Sequence, residues 1–368
     1  MRYLIIGGGI SGTSAAEEIR KLDAGSTITI LSEEQYPIYS RVLLPHYIKG
    51  KIPRERCFLK KPEWYAAQKI DWLPGVSALQ LDVVNKFVSV SDGREYEYDK
   101  LLIASGGEVK MLPEDQRGIS YLRTIDDADH LLQLLNEGPK EATIIGGGFI
   151  GLEYVNIFAD RHIPAEMHLR DERILPSVLD VDSSELIRLK AEADGVTFRP
   201  KSFPEHLQGL VGVGVGIAPE LGWLKDGGIE TDRGVITDEF LQTNIADIYA
   251  AGDITEFYDT VVERRVKIGN WMNAMQQGRA AGKTMAGVKT AFDLVSSYAT
   301  SCRGMEIIFI GDVDRRAAEQ VVVKGSVAEG GVAQHFVRGG KLVGATLVNR
   351  NSDRAGLTKQ IKDKTFYV

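Results

Sequence analysis

The chain alternates short apolar runs, suited to buried strands, with segments whose apolar positions recur at helical spacing. Residues 1–6 and 27–31 read as buried strands, with a helix over 13–22 between them. Residues 83–98 alternate around Ser91-Asp92-Gly93, the pattern of a hairpin. A buried strand is predicted at 101–104, a helix at 126–135, a strand at 142–145 and helices at 152–161 and 183–193. A glycine-studded strand follows at 211–219, then a strand at 248–251 and a helix at 271–285. Beyond residue 293 the pattern changes. Stretches 305–310 and 321–323 are strand-like, 332–337 and 342–348 form a hairpin around Gly339-Gly340, and 352–362 is a closing helix. Strands alternating with helices argue for parallel α/β sheets, followed here by a small α+β domain.

The first strand runs directly into Gly7-Gly8-Gly9-Ile10-Ser11-Gly12. Gly7, Gly9 and Gly12 have the G-x-G-x-x-G spacing of a dinucleotide-binding turn. The first glycine permits the turn, the second lets backbone approach a pyrophosphate, and the third lets the helix pack on the strand. The helix N-terminus then offers N–H groups to phosphate. Glu33, at the tip of the second strand, is placed to accept from a ribose hydroxyl. The whole unit recurs as Gly146-x-Gly148-Phe149-Ile150-Gly151, which is more specific than one copy. Two such units imply two nucleotides, one a bound cofactor and one a substrate. At the acid position of the second unit stand Leu169 and Arg170. An arginine there suits the 2′-phosphate of NADPH. Indifference or a preference for NADH, and loss of binding, are the competing readings.

Other stretches fit around these. Ala104-Ser105-Gly106 ends a buried strand in small residues, which admit a ligand to the backbone. Gly252-Asp253 ends the 248–251 strand, where Asp253 could accept from a ribityl hydroxyl, or simply cap the next segment. Tyr36, Tyr39 and Arg41 could line a flavin, with Arg41 on its pyrophosphate, or be an ordinary packed loop. The N-terminus of the 271–285 helix could stabilise negative charge on a reduced flavin. The Gly216-Ile217-Ala218-Pro219 segment would close the second sheet near the nicotinamide.

A formal charge of −7 argues against a nucleic-acid protein, which needs a basic face. The basic run from Lys49 to Lys61 is either a solvated face or a docking patch for an acidic partner. No apolar run reaches the length of a membrane span, and because the first strand starts at once a signal peptide is not expected. The two cysteines, Cys57 and Cys302, form no metal or disulfide pattern. A cytoplasmic protein is expected.

Taken together, Gly7-x-Gly9-x-x-Gly12 with Glu33, Leu102-Ile103-Ala104-Ser105-Gly106, Gly146-x-Gly148-x-x-Gly151 with Glu153, and Ala250-Ala251-Gly252-Asp253 resemble the FAD-dependent pyridine nucleotide–disulfide oxidoreductase superfamily. Tyr39-Ser40-Arg41 with Leu44, and Thr300-Ser301-Cys302-Arg303-Gly304-Met305, look most like rubredoxin reductases and the flavin part of NAD(P)H nitrite reductases. The resemblance implies two Rossmann-like domains plus a small C-terminal α+β domain: FAD on 1–110 and 235–292, NAD(P) on a shortened 111–234, and an interface domain at 293–368. It places FAD on Gly7 to Gly12, Glu33, Arg41 and Asp253, and NAD(P)H on Gly146 to Gly151, with Glu153 and Gly216 near the nicotinamide. It implies hydride transfer from nicotinamide C4 to flavin N5, then electrons to a small acidic rubredoxin- or ferredoxin-like carrier or a partner subunit, and a possible homodimer. Val42 stands where thiol-using relatives carry cysteine, so thiolate chemistry is not expected, and no side chain is assigned as catalytic. A flavin- or nucleotide-sensing subunit and an NAD(P)H oxidase are the alternatives.

Overall fold

The computed structural model describes residues 1–113, 118–326 and 328–367. The chain forms two compact units. One comprises Met1–Ser40, Arg54–Glu108 and Ala218–Leu294, the other Arg41–Pro53, Val109–Ile217 and Val295–Val368.

At the centre of the first unit is a five-stranded parallel sheet. Strand Arg2–Ile6 lies between Thr27–Ser32 and Lys100–Ile103, with Ile70–Pro74 and Ile248–Ala250 at the edges. Arg2–Ile6, Lys100–Ile103 and Ile248–Ala250 are nearly continuous apolar runs because both faces are covered. Leu4, Ile6, Leu31, Leu101, Ile103 and Ile248 belong to one buried cluster. Helix Ile10–Leu22 packs against helix Trp271–Met285 at unusually short range. A Cβ on Gly278 would lie 2.1 Å from the Ser11 carbonyl oxygen, and one on Gly282 would lie 2.6 Å from that of Ala15. Two three-stranded sheets complete the unit. One contains the anticipated hairpin, Phe87–Val90 with Glu95–Glu97, joined by Ala78–Asp82. The other, Val235–Thr237, Thr255–Asp259 and Arg264–Val266, was not anticipated.

The second unit holds another five-stranded parallel sheet, ordered Val196–Arg199, Ala165–His168, Ala142–Ile145, Leu210–Val213, Ile119–Ser120. The single strand expected over 211–219 is instead two, Leu210–Val213 and Ile217–Ala218. Between them Gly216 has φ +99°, which no strand residue adopts, and Gly214 is pressed against the second glycine turn, a Cβ there lying 2.8 Å from the Gly151 nitrogen. The C-terminal stretch is a five-stranded antiparallel sheet, Ser297–Cys302, Met305–Gly311, Lys341–Val348, Gly331–Arg338 and Gln320–Ser326, with helix Arg354–Lys362. Two parallel α/β sheets with glycine turns and a small α+β region are the architecture expected of two Rossmann-like domains plus an appendage.

Candidate functional site

In the first unit the glycine turn is fixed by backbone geometry. Gly7 has φ +114°, and a Cβ on it would lie 2.2 Å from the Ala104 carbonyl oxygen. A Cβ on Gly12 would lie 2.1 Å from the Gly7 carbonyl oxygen. Neither position admits a side chain. Gly9 differs: nothing lies within 4 Å of its would-be Cβ, so the turn opens to solvent there. Gly9 also caps helix Ile10–Leu22 with no side-chain bond, leaving the helix N–H groups facing that opening.

Other groups gather at this cradle. Ser11 is buried and its hydroxyl has no protein partner. Gly252, with φ +89°, brings its backbone beside Ser11, and its N–H donates to Gln277 Oε1 at 2.7 Å. Ala104 is buried, Ser105 is exposed and Gly106 has φ +74°. Asp253 is half-buried, with Oδ1 3.3 Å from the position of a Cβ on Gly269. Glu33 is exposed one residue beyond strand Thr27–Ser32. Partial burial, then the charges of Glu108, Glu34 and Glu220, hold its carboxyl above the usual range. An open glycine, an unpartnered buried hydroxyl and a helix N-terminus fit the adenosine diphosphate of FAD. Tyr36 and Tyr39 pack their rings on Phe58, at centroid distances of 6.2 and 6.0 Å.

The second unit repeats the cradle. Gly146 has φ +107° and a Cβ on it would lie 2.4 Å from the Gly214 carbonyl oxygen; one on Gly151 would lie 2.0 Å from that of Gly146. Gly148 is again open, its would-be Cβ having only one neighbour, at 3.9 Å. These residues fit a dinucleotide pyrophosphate at the start of helix Phe149–Asp160. Phe149 itself is packed edge-on against Tyr298 and Phe309, at 5.6 and 5.2 Å. A cavity of about 150 Å³ is lined by Arg41, Leu44, Tyr121, Ile150, Val215 and Gly216, among others. Arg41 donates to the Arg123 carbonyl oxygen at 2.7 Å. One turn beyond Ile150, Glu153 is held by Lys49 Nζ at 3.4 Å, a largely buried ion pair. Nothing in the basic run distinguishes Lys49, because its partner lies far away in sequence. Arg170 is 92% exposed and meets Asp171 at 3.2 Å.

The C-terminal motif has a structural role. Asn156 donates to the Ser301 carbonyl oxygen at 2.8 Å, and Arg303 bonds Asp160 at 2.7 Å and Asp194 at 2.5 Å. Cys57 and Cys302 are both buried, and burial pushes the Cys302 thiol up to about 12. Val42 is exposed. Among the described residues no group of acidic, histidine and cysteine side chains could hold a metal ion. No helix among them is long and apolar enough to cross a membrane.

Residues 1–278 match the family model of the pyridine nucleotide-disulphide oxidoreductases. The chain belongs to that family. It is 30% identical over 331 residues to the NADH-rubredoxin oxidoreductase of Clostridium acetobutylicum, covering 87% of this chain and 84% of the relative. The crystal structure titled as that organism's NADH:rubredoxin oxidoreductase matches with a TM-score of 0.85 at 26% identity, covering 100% of this chain and 96% of the other. The nitrite reductase [NAD(P)H] of Bacillus subtilis is 26% identical over 385 residues, 98% of this chain but 47% of that longer protein. The chain is thus an FAD-dependent NAD(P)H oxidoreductase.

Proposed function

We propose that this oxidoreductase is an electron-carrier reductase, drawing on NAD(P)H and supplying electrons to a small acidic rubredoxin- or ferredoxin-like protein or a partner subunit. The supporting observation is the duplicated cradle, in which only the second glycine of each turn, Gly9 and Gly148, is open to a ligand. FAD, when bound, supplies both the hydride acceptor and the one-electron outlet. Gly7, Gly9, Ile10, Ser11, Gly12, Glu33, Ala104, Ser105, Gly106, Gly252 and Asp253 are the residues we assign to FAD, with Arg41 as a candidate for its pyrophosphate. Gly146, Gly148, Phe149, Ile150, Gly151, Glu153, Arg170 and Gly216 are assigned to the nicotinamide nucleotide. Helix N–H groups at the two turns bind phosphate, and the Lys49–Glu153 pair fixes a carboxylate beside the cavity-lining turn of its helix. No side chain is needed as acid, base or nucleophile for hydride transfer, and a buried thiol held in its neutral form does not compete.

The division into FAD segments 1–110 and 235–292, an NAD(P) segment 111–234 and an interface segment 293–368 belongs to the same proposal, as do a cytoplasmic setting and a homodimer. An acceptor assay tests the reading. Rubredoxin or ferredoxin reduction by NAD(P)H should proceed without oxygen and be unaffected by thiol alkylation. Turnover seen only with oxygen would instead identify an oxidase.

A further inference from the structure

Resting on the reading that the second cradle takes NAD(P)H, we propose that this chain selects NADPH through a two-sided cationic clamp, with Arg170 and Lys201 as the arms and Leu169 as the wall between them and the glycine turn. In a parallel α/β unit the adenosine ribose lies off the end of the strand that follows the glycine helix. That strand is Ala165–His168, paired in register with Ala142–Ile145 so that His168 is opposite Ile145. The next residue, Leu169, is therefore level with the turn. It is 3% exposed, and its Cδ2 would lie 2.7 Å from a Cβ on Gly147. A carboxylate that accepts from the 2′-hydroxyl of NADH is thus replaced by an apolar side chain turned onto the glycines.

The neighbouring strand, Val196–Arg199, supplies the second arm. Its continuation is bolted to the same segment: Leu169 N–H donates to the Arg199 carbonyl at 2.9 Å, Ser202 N–H to the Leu169 carbonyl at 3.0 Å, and Lys201 N–H to the Asp171 carbonyl at 3.3 Å. Lys201 sits at φ +49°, a left-handed turn that ends the strand beside residues 169–171. Arg170 pairs with Asp171, and Lys201 pairs with Glu172; all four side chains are 45% exposed or more. Exposed pairs of this kind are weak and screened. A phosphate carrying close to two negative charges and three acceptor oxygens can exchange for both carboxylates. The bare hydroxyl of NADH offers no charge for either cation.

The test uses the flavin-loaded protein and two probes, 2′,5′-ADP and 5′-AMP, titrated by calorimetry, with anaerobic flavin reduction by NADPH and NADH alongside. The clamp predicts tighter binding of 2′,5′-ADP. Lys201→Ala should weaken 2′,5′-ADP by about tenfold, the scale of one charge-assisted bond, and leave 5′-AMP unchanged, while Lys201→Arg should keep most of the preference. Equal binding of the two probes by the wild-type protein, or an equal loss of both in Lys201→Ala, overturns the clamp. Preferred reduction by NADH overturns it too, while leaving the reductase reading in place. Failure of both nucleotides to reduce the flavin would defeat the reductase reading itself.

Discussion

Gly278→Ala is the sharpest test of how the first cradle is held. The added methyl would lie 2.1 Å from the Ser11 carbonyl oxygen and 2.8 Å from its carbon, where ordinary contact begins at 3.4 Å. Helix Trp271–Met285 must therefore move by at least about 1 Å from helix Ile10–Leu22, because the obstacle is backbone and cannot rotate away. Overpacking of this kind costs about 1–3 kcal/mol. The displacement also reaches the cradle, since Gln277, next to Gly278, holds the Gly252 N–H, and Gly252 lies against Ser11. The expected result is a lower thermal midpoint and a purified protein with substoichiometric flavin, read as the ratio of 450 nm to 280 nm absorbance. Gly356→Ala, on the helix Arg354–Lys362 where nothing lies within 4 Å, is the control. Full flavin content and an unchanged midpoint in Gly278→Ala would refute the view that this helix contact sets the FAD cradle.

Asp253→Ala should lower FAD retention on gel filtration; full occupancy would remove Asp253 from the FAD site. Arg170→Glu should shift the ratio of flavin reduction rates toward NADH, and an unchanged ratio would show that Arg170 does not select. Cys302, with its thiol pushed up to about 12, should resist iodoacetamide in the folded protein at pH 8 and react after denaturation, as followed by mass spectrometry. His335 is buried near Lys324 and Arg350, and burial first, then those charges, pushes it down to about 4. The unfolded chain takes up that proton near 6.5, so stability should be full above pH 6.5 and fall by up to roughly 3 kcal/mol toward pH 4. Denaturant titrations of His335→Asn should show a flatter dependence over that window.

Much of this fold was legible because its central strands are buried on both faces and so appear as unbroken apolar runs. Helix Trp271–Met285 and strand Ala142–Ile145 have the bounds that the pattern implies. The two glycine helices begin earlier than expected, at Ile10 and Phe149. Glycine is a poor helix former, but Gly12 and Gly151 are inside these helices because only glycine clears the preceding turn. The strands Thr255–Asp259 and Arg264–Val266 give no local signal because their sequences, TEFYD and RRV, carry no clean alternation. At the site, the glycines declared themselves by spacing. The Lys49–Glu153 pair, the close approach of Gly214 to Gly151 and the clearance at Gly278 are made by residues distant in sequence, and no local pattern announces them.

Anaerobic stopped-flow absorbance of the purified protein tests the central claim most directly. Mixed with NADPH or NADH, the yellow protein should lose its 450 nm band within seconds, and oxidised rubredoxin or ferredoxin added next should restore it. A flavin that stays oxidised with both nucleotides would contradict the account, and the protein would then be a nucleotide-binding subunit and not a reductase in its own right.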